Sequence, residues 1–256
     1  MIYLNRNVTL NQIKDLVQKN INHKIDYMPE DFNNEQKNAL ELFQKRIFLE
    51  EVIDETISFN KQISWDNKDK NLSLTTTAEE LVDVFKLRSD IYTNMNYQKE
   101  FPDFIEGLNF DSYDKNSAIL FYKSNNQITG SIRIIFDSKQ NLPSDDKYCF
   151  DYLRKQKKQI CELSRLVVKQ NNKGLGQEFK NLFKGVYQIS EDHNNQIDLS
   201  LFCVTKEHYK LYSKFGGISI EKDLEDYGNL INSFFILSWQ SSLSSKYFQK
   251  VFLKWK

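Results

Sequence analysis

The chain is short of the residues that break, staple or bias a polypeptide. Its 256 residues include three prolines, eight glycines and three cysteines. So few prolines and glycines exclude a low-complexity or disordered class. Cys149, Cys161 and Cys203 are odd in number and far apart, which excludes a disulfide framework. With no CxxC pair and no histidine spaced to complete a zinc site, no metal site is expected. They read as reduced, buried thiols of a cytoplasmic protein. Charge of one sign is also missing: 35 Lys+Arg balance 35 Asp+Glu. A nucleic-acid binder carries a basic excess, so no nucleic-acid partner is expected. No apolar run reaches the roughly 18 residues of a membrane helix. Met1–Asn7 has no signal-peptide core, and a cytoplasmic location is the expectation.

What the chain does have is apolar and aromatic mass: 40% hydrophobic and 14% aromatic residues, beside 27% charged. That suffices for one good-sized domain with an appendage. The first part reads as helical. Leu10, Ile13, Leu16, Val17 and Ile21 recur at helical spacing, and a second helix is predicted over Asn34–Asn60. These helices either cover a sheet or pair two subunits. Trp65–Asn71 reads as a linker. The expected division is a helical extension over 1–70, a main domain over 71–240 and a C-terminal segment over 241–256. That last segment is basic and aromatic, and reads as a terminal element on the core or as a membrane contact.

In the main domain, Leu72–Thr77 suits a strand, and Thr77 with Glu80 forms a capping box for a helix reaching Tyr92. Ala118–Lys123 and Ile128–Phe136 read as strands joined by the turn Asn125-Asn126. Ile160–Val168 is a further strand, and a helix with Phe179, Leu182, Phe183 and Val186 follows. Then come a strand over Ile197–Val204, a helix over Lys206–Lys214, and strands near Ile218–Leu224 and Phe234–Trp239. Hairpins mixed with crossovers imply an α/β (α+β) class with a mixed sheet.

Two features in this frame carry chemistry. The loop Asn171-Asn172-Lys173-Gly174-Leu175-Gly176 joins a strand to a helix. Free backbone N–H groups and the helix dipole there make an anion site, unless the loop is a plain turn. Neither a Walker loop nor a dinucleotide fingerprint fits its spacing. The second feature is Cys161-Glu162-Leu163-Ser164-Arg165-Leu166-Val167-Val168. Strand alternation places Glu162 and Ser164 on one face and Arg165 on the other. Charges inside an apolar strand need partners, and Arg88, Asp111, Asp114 and Arg133 are the candidates. They form either a structural ion network or a working site.

The glycine loop resembles the acyl-coenzyme A loop of the GNAT superfamily. Glu162-Leu163-Ser164-Arg165 resembles the Glu-x-Ser-Arg motif of the acyl-homoserine-lactone autoinducer synthases and the related long-chain N-acyl amino acid synthases. Phe85–Tyr92, Asp111-Ser112-Tyr113-Asp114 and Gly130-Ser131-Ile132-Arg133 are similar to three further motifs of that group, in the same order. The resemblance spans about Phe85 to Gly217. It implies a GNAT-like mixed, mostly antiparallel sheet flanked by helices, and an N-acyltransferase. The donor would be an acyl thioester of acyl carrier protein or coenzyme A, the acceptor a small-molecule amine, and no cofactor would be held permanently.

By the same resemblance Glu162, Ser164, Arg165 and Tyr212 are catalytic candidates, with Glu162 as base and Tyr212 as acid. Arg88, Tyr92, Asp111, Asp114 and Arg133 would bind substrate. The backbone of Leu166, Val167 and Val168 and the loop residues Asn171, Lys173, Gly174, Leu175 and Gly176 would hold the thioester carrier. Tyr92 stands where autoinducer synthases have Phe, and no tryptophan follows it shortly after; the glycine loop and Tyr209–Gly217 look more like the amino acid synthases and general GNAT enzymes, which speaks against a homoserine-lactone product. An acyl-homoserine-lactone synthase, an acetyl-coenzyme A N-acetyltransferase and a non-catalytic acyl-binding module are the other readings.

Overall fold

In the computed structural model of the chain, the described residues are 34–169, 176–230 and 232–254. The early helix expected on Leu10–Ile21 lies outside them, as do Asn171, Lys173, Gly174 and Leu175 of the glycine loop. Contacts divide the chain into Met1–Val52 and Ile53–Lys256. Helix α1, Asn34–Asn60, has the predicted bounds. Its last turns, from Ile53 on, belong to the second unit, which carries the sheet. Thr56 Oγ1 donates to the Asp114 carbonyl (2.9 Å), and Asn60 bonds both Thr75 Oγ1 (2.8 Å) and the Ile119 N–H (3.0 Å).

Seven strands form one sheet in the order β1-β2-β3-β4-β5-β7-β6. They are β1 Leu72–Leu74, β2 Ser117–Ser124, β3 Gln127–Phe136, β4 Ile160–Val168, β5 Leu199–Thr205, β6 Ile218–Leu224 and β7 Phe234–Trp239. All neighbours run antiparallel except β4 and β5. The parallel pair requires a crossover, and α4, Gln177–Glu191, supplies it. This is the mixed, mostly antiparallel sheet flanked by helices that was expected.

Alternation along the central strands sorts the core. Leu120, Ile132, Ile134 and Leu163 join Leu182, Phe183 and Val186 of α4, and then Phe215, Trp239, Phe248 and Phe252. Gly185 allows α4 to lie flat there, since a Cβ at that position would meet Leu72 and Leu120 methyls at 3.1 Å. Ile135, Leu142, Phe150, Ile160, Leu201 and Ile236 form a second cluster. Helix α2, Ala78–Asn94, buries Val84, Phe85, Leu87, Arg88 and Tyr92. Phe248 and Phe252 bring the C-terminal segment onto the main core as a terminal helical turn.

Several local expectations need correction. Strand β1 ends at Leu74, because Thr76 and Thr77 turn away to cap α2. Thr77 Oγ1 accepts from the Glu80 N–H as expected, but Glu80 reaches back to the N–H of Thr76 (3.0 Å), one residue before the cap. The helix expected over Lys206–Lys214 is one turn, α5 Tyr209–Tyr212, followed by a 3₁₀ turn over Ser213–Phe215. Before it the chain makes turns, with the His208 N–H on the Thr205 carbonyl (3.0 Å) and the Tyr209 N–H on the Lys206 carbonyl (3.3 Å). A short helix, α3 Asp151–Lys155, precedes β4.

Candidate active site

The site begins where the two parallel strands part. Strands β4 and β5 pair only through Ile160–Leu199, Cys161–Ser200 and Glu162–Leu201. Beyond Glu162 the two part, β4 running to Val168 beside β3 and β5 to Thr205 beside β7. The backbone edge of β4 thus turns from a ladder partner into a cleft wall. The cleft has a volume of about 1120 Å³. Glu162, Ser164, Arg165, Leu166, Val167 and Val168 line it along β4, with Tyr92, Asp111, Arg133, Gly176 and Tyr212 around it. Arg88 and Asp114 are fully buried behind Arg133. Gly176 is the N-cap of α4.

Strict alternation would send the Arg165 side chain to the α4 face; the structure overturns this. Arg133 stands opposite Ser164 and Ser131 opposite Val167, so β4 has one residue too many between them. The surplus is absorbed by a bulge in which Arg165 adopts φ +50°. A left-handed residue costs roughly 1–2 kcal/mol. The bulge swings the guanidinium round to the side of Ser164 and Glu162. Phe101 lies 4.5 Å and Tyr92 5.6 Å from its Cζ, an attraction that offsets part of the cost.

There the guanidinium joins the expected ion network. Arg165 Nη2 donates to Asp111 Oδ2 (2.9 Å), and Arg133 Nη1 to Asp111 Oδ1 (2.5 Å). Arg133 Nη1 also lies 3.1 Å from Asp114 Oδ1, to which Arg88 Nη1 donates at 2.9 Å. Arg133 Nε donates to Ser164 Oγ (2.9 Å). The two aspartates are placed by a reciprocal cap on the 3₁₀ turn Ser112–Asn116. The Asp111 carboxylate accepts the Tyr113 N–H, and Asp114 accepts the Asp111 N–H. That cap is the physical content of the Asp-Ser-Tyr-Asp stretch. Burial alone would raise the Asp111 carboxyl, but Arg133 and then Arg165 outweigh it and hold it below its ordinary value. Three arginines against two aspartates leave one positive charge in the network.

Glu162 differs from the expectation that an arginine would partner it. It is 3% exposed, and the backbone N–H of Ser144 donates to Oε2 (2.8 Å). Burial dominates, and the Ser144 hydrogen bonds and Arg133 only partly oppose it, so the carboxyl is raised to about 7. A carboxyl poised there can take and release a proton at neutral pH. Tyr212 sits at the other end of the cleft. Its ring packs among Phe183, Phe202 and Phe215, and burial pushes its hydroxyl up, so it stays protonated.

Sequence reasoning missed four cleft or site residues: Phe101, Ser144, Cys203 and Tyr227. Ser144 acts through its backbone, which no residue type announces. Cys203 lies on β5 beside the split, 3.7 Å from Ser144 Oγ. Phe101 and Tyr227 reside in connections with no periodicity. Nearness to aromatic or charged residues in the fold was their only signal.

The N-acyl amino acid synthase FeeM family matches residues 83–239 of the chain. Among solved structures, the chain is similar to FeeM, an N-acyl amino acid synthase from uncultured soil microbes. The identity is 16% and the TM-score 0.52, over 71% of this chain and 94% of that one. The acyl-homoserine-lactone synthase LasI is 18% identical with a TM-score of 0.50, over 71% and 94% of the two chains. For BjaI, a coenzyme A-dependent acyl-homoserine lactone synthase, the figures are 17%, 0.51, 68% and 81%. Likenesses at these identities show the fold alone. No curated protein sequence matches the chain.

Proposed function

The chain belongs to the N-acyl amino acid synthase FeeM family, and from that premise we propose that this acyltransferase moves a fatty acyl chain from an acyl thioester to the amine of an amino acid or related small molecule. The thioester is that of acyl carrier protein or coenzyme A. The observation that carries the reading is Glu162, buried at the fork of β4 and β5 with its carboxyl raised to about 7. A base of that strength, facing a cleft with a charged end and an aromatic end, suits an amine and a fatty thioester meeting between them.

Glu162 takes a proton from the acceptor, and the freed nitrogen attacks the thioester carbon. Backbone N–H groups at Leu166–Val168, beyond the β4–β5 pairing, hold the oxyanion. As the carbon–sulfur bond breaks, the thiolate takes a proton from Tyr212, and the second proton that the nitrogen sheds as the amide forms restores the phenol. Ser164 fixes Arg133; Arg88 and Asp114 fix it from behind; Tyr92 stacks on Arg165. Ser164, Arg88, Asp114 and Tyr92 are thus positioning residues. The surplus positive charge of the network favours an acceptor bearing a carboxylate, as an amino acid does. Asn171, Lys173, Gly174, Leu175 and Gly176 would hold the donor's phosphate group.

The test is mass spectrometry of lipid extracts from a host making the wild-type chain or Glu162→Gln. N-acyl amino acids present with the first and absent with the second are expected; identical extracts reject the reading. Acyl-homoserine lactones or acetylated amines as the only products would replace the acceptor or the donor.

A further inference from the structure

Tyr227 is a cleft-lining residue outside every motif of the sequence, and it is unusually well fixed for a loop residue. The β6–β7 connection leaves the sheet at Leu224 and returns at Phe234. Tyr227 and Leu230 exchange backbone hydrogen bonds of 3.2 and 3.0 Å, which close a tight turn around Gly228 at φ +60°. The turn is fastened to the segment after α2. The Asn229 N–H donates to Glu100 Oε2 (2.6 Å), and its side-chain amide donates to the Lys99 carbonyl (3.0 Å). A side chain at Gly228 would collide with the Glu100 carboxylate, so the two segments are in direct contact. Tyr227, Leu230 and Phe234 line the cleft from one side of this strap, and Tyr97, Glu100 and Phe101 from the other.

The Tyr227 ring is held between neighbours, with the Phe234 centroid at 5.5 Å and Lys147 Nζ at 5.5 Å from its own. It lines the same cleft as Glu162, Cys203, Glu100 and Arg165. Burial pushes its hydroxyl up, so it is a neutral phenol at working pH. Such a group accepts one hydrogen bond while donating another.

An ammonium that gives one proton to Glu162 keeps two N–H bonds and gains a lone pair. The lone pair must point at the thioester carbon, and one contact to Glu162 leaves the nitrogen free to rotate. A second rigid acceptor removes that freedom. We infer that Tyr227 is a further catalytic residue: its hydroxyl oxygen accepts a hydrogen bond from the acceptor amine while Glu162 takes the amine's proton. This rests on the amine acceptor proposed above.

The experiment compares wild type with Tyr227→Phe, which keeps the ring and its packing and removes one oxygen. With saturating acyl thioester, kcat/KM for the amino acid should fall tenfold or more, while KM for the thioester stays within twofold. The acid limb of the rate profile, set by Glu162, should not move. Asn229→Ala, which removes the strap's side-chain bonds to Lys99 and Glu100 and so loosens it, should lower the same kcat/KM in the wild-type background and add less than twofold in the Tyr227→Phe background. A Tyr227→Phe enzyme with unchanged kcat/KM overturns the inference. Should the wild type acylate no amino acid, the acceptor reading has failed, and calorimetric titration of the full chain with free amino acids decides the inference separately. Weaker binding by Tyr227→Phe upholds an amine contact; equal affinity, including none for either, overturns it.

Discussion

Glu162 couples the proposed chemistry to stability through one proton. Its carboxyl is raised from an ordinary 4.5 to about 7 by burial. Between those two values the folded chain keeps a proton that the unfolded chain has lost. The stabilisation is therefore complete below about 4.5, fades as pH rises, and is gone above about 7, a change on the order of 3 kcal/mol. Glu162→Gln carries no such proton, so its melting temperature should gain on the wild type between pH 4.5 and 7 and hold its lead above. A pH-independent gap would refute a buried carboxyl raised in this way. The rate runs the opposite way, rising through pH 7 as the base ionises. Asp111 has the reverse sign: held low by Arg133 and Arg165, it stabilises the fold above its ordinary value and loses that in acid. Asp111→Asn leaves both arginines with a neutral partner and should cost about 3–5 kcal/mol in chemical denaturation. The network members were legible in the sequence because charges in an apolar strand demand partners. The Ser144 N–H under Glu162 was not, since any residue supplies that group.

At the scale of elements, periodicity located the strands and helices better than it oriented them. Alternation holds from Ile160 to Ser164 and fails at Arg165, where the bulge adds a residue. A bulge on a non-glycine residue leaves no compositional mark, so the face of Arg165 was readable only from the pairing. The glycine pair after α5 behaves differently. Gly216 and Gly217 both have positive φ (78° and 67°), and a Cβ on Gly217 would run into the Gln240 carbonyl oxygen. That turn carries the chain from the 3₁₀ turn into β6 against the C-terminal segment, with the Gln240 N–H on the Gly217 carbonyl (2.9 Å). Gly217→Ala combines a left-handed backbone with a backbone collision, and should destabilise by more than about 2 kcal/mol. Gly107, also at positive φ (77°), has open space around its Cβ position, so Gly107→Ala should cost about 1 kcal/mol. Thermal melts of the two variants check the difference.

Across the whole molecule, one cleft joins a charged end at Arg133, Glu162 and Arg165 to an aromatic end at Phe179, Phe183, Phe202 and Tyr212. The donor should therefore approach past α4, whose N-cap Gly176 is part of the lining. Acyl carrier protein is acidic, so its docking surface should be basic; Arg154, Lys155, Lys157 and Lys158 form one basic cluster, and Lys180 with Lys184 another. In the cluster at residues 154–158, Arg154 is committed to Asp137 and Asp145 at 2.7 and 2.6 Å, with Asp151 at 3.2 Å, so its charge is neutralised locally. Lys180 and Lys184 lie a turn apart on α4, half-buried, on the helix whose N-cap lines the cleft. If they receive acyl carrier protein, Lys180→Glu with Lys184→Glu should raise KM for the acyl-carrier donor about tenfold. KM for the same acyl group on coenzyme A should change much less, because a small donor meets less of the helix surface. Ionic strength should mimic the substitutions for the carrier donor. Equal effects on both donors would locate the two lysines at the thioester's own phosphate, and no effect on either would leave α4 without a part in docking.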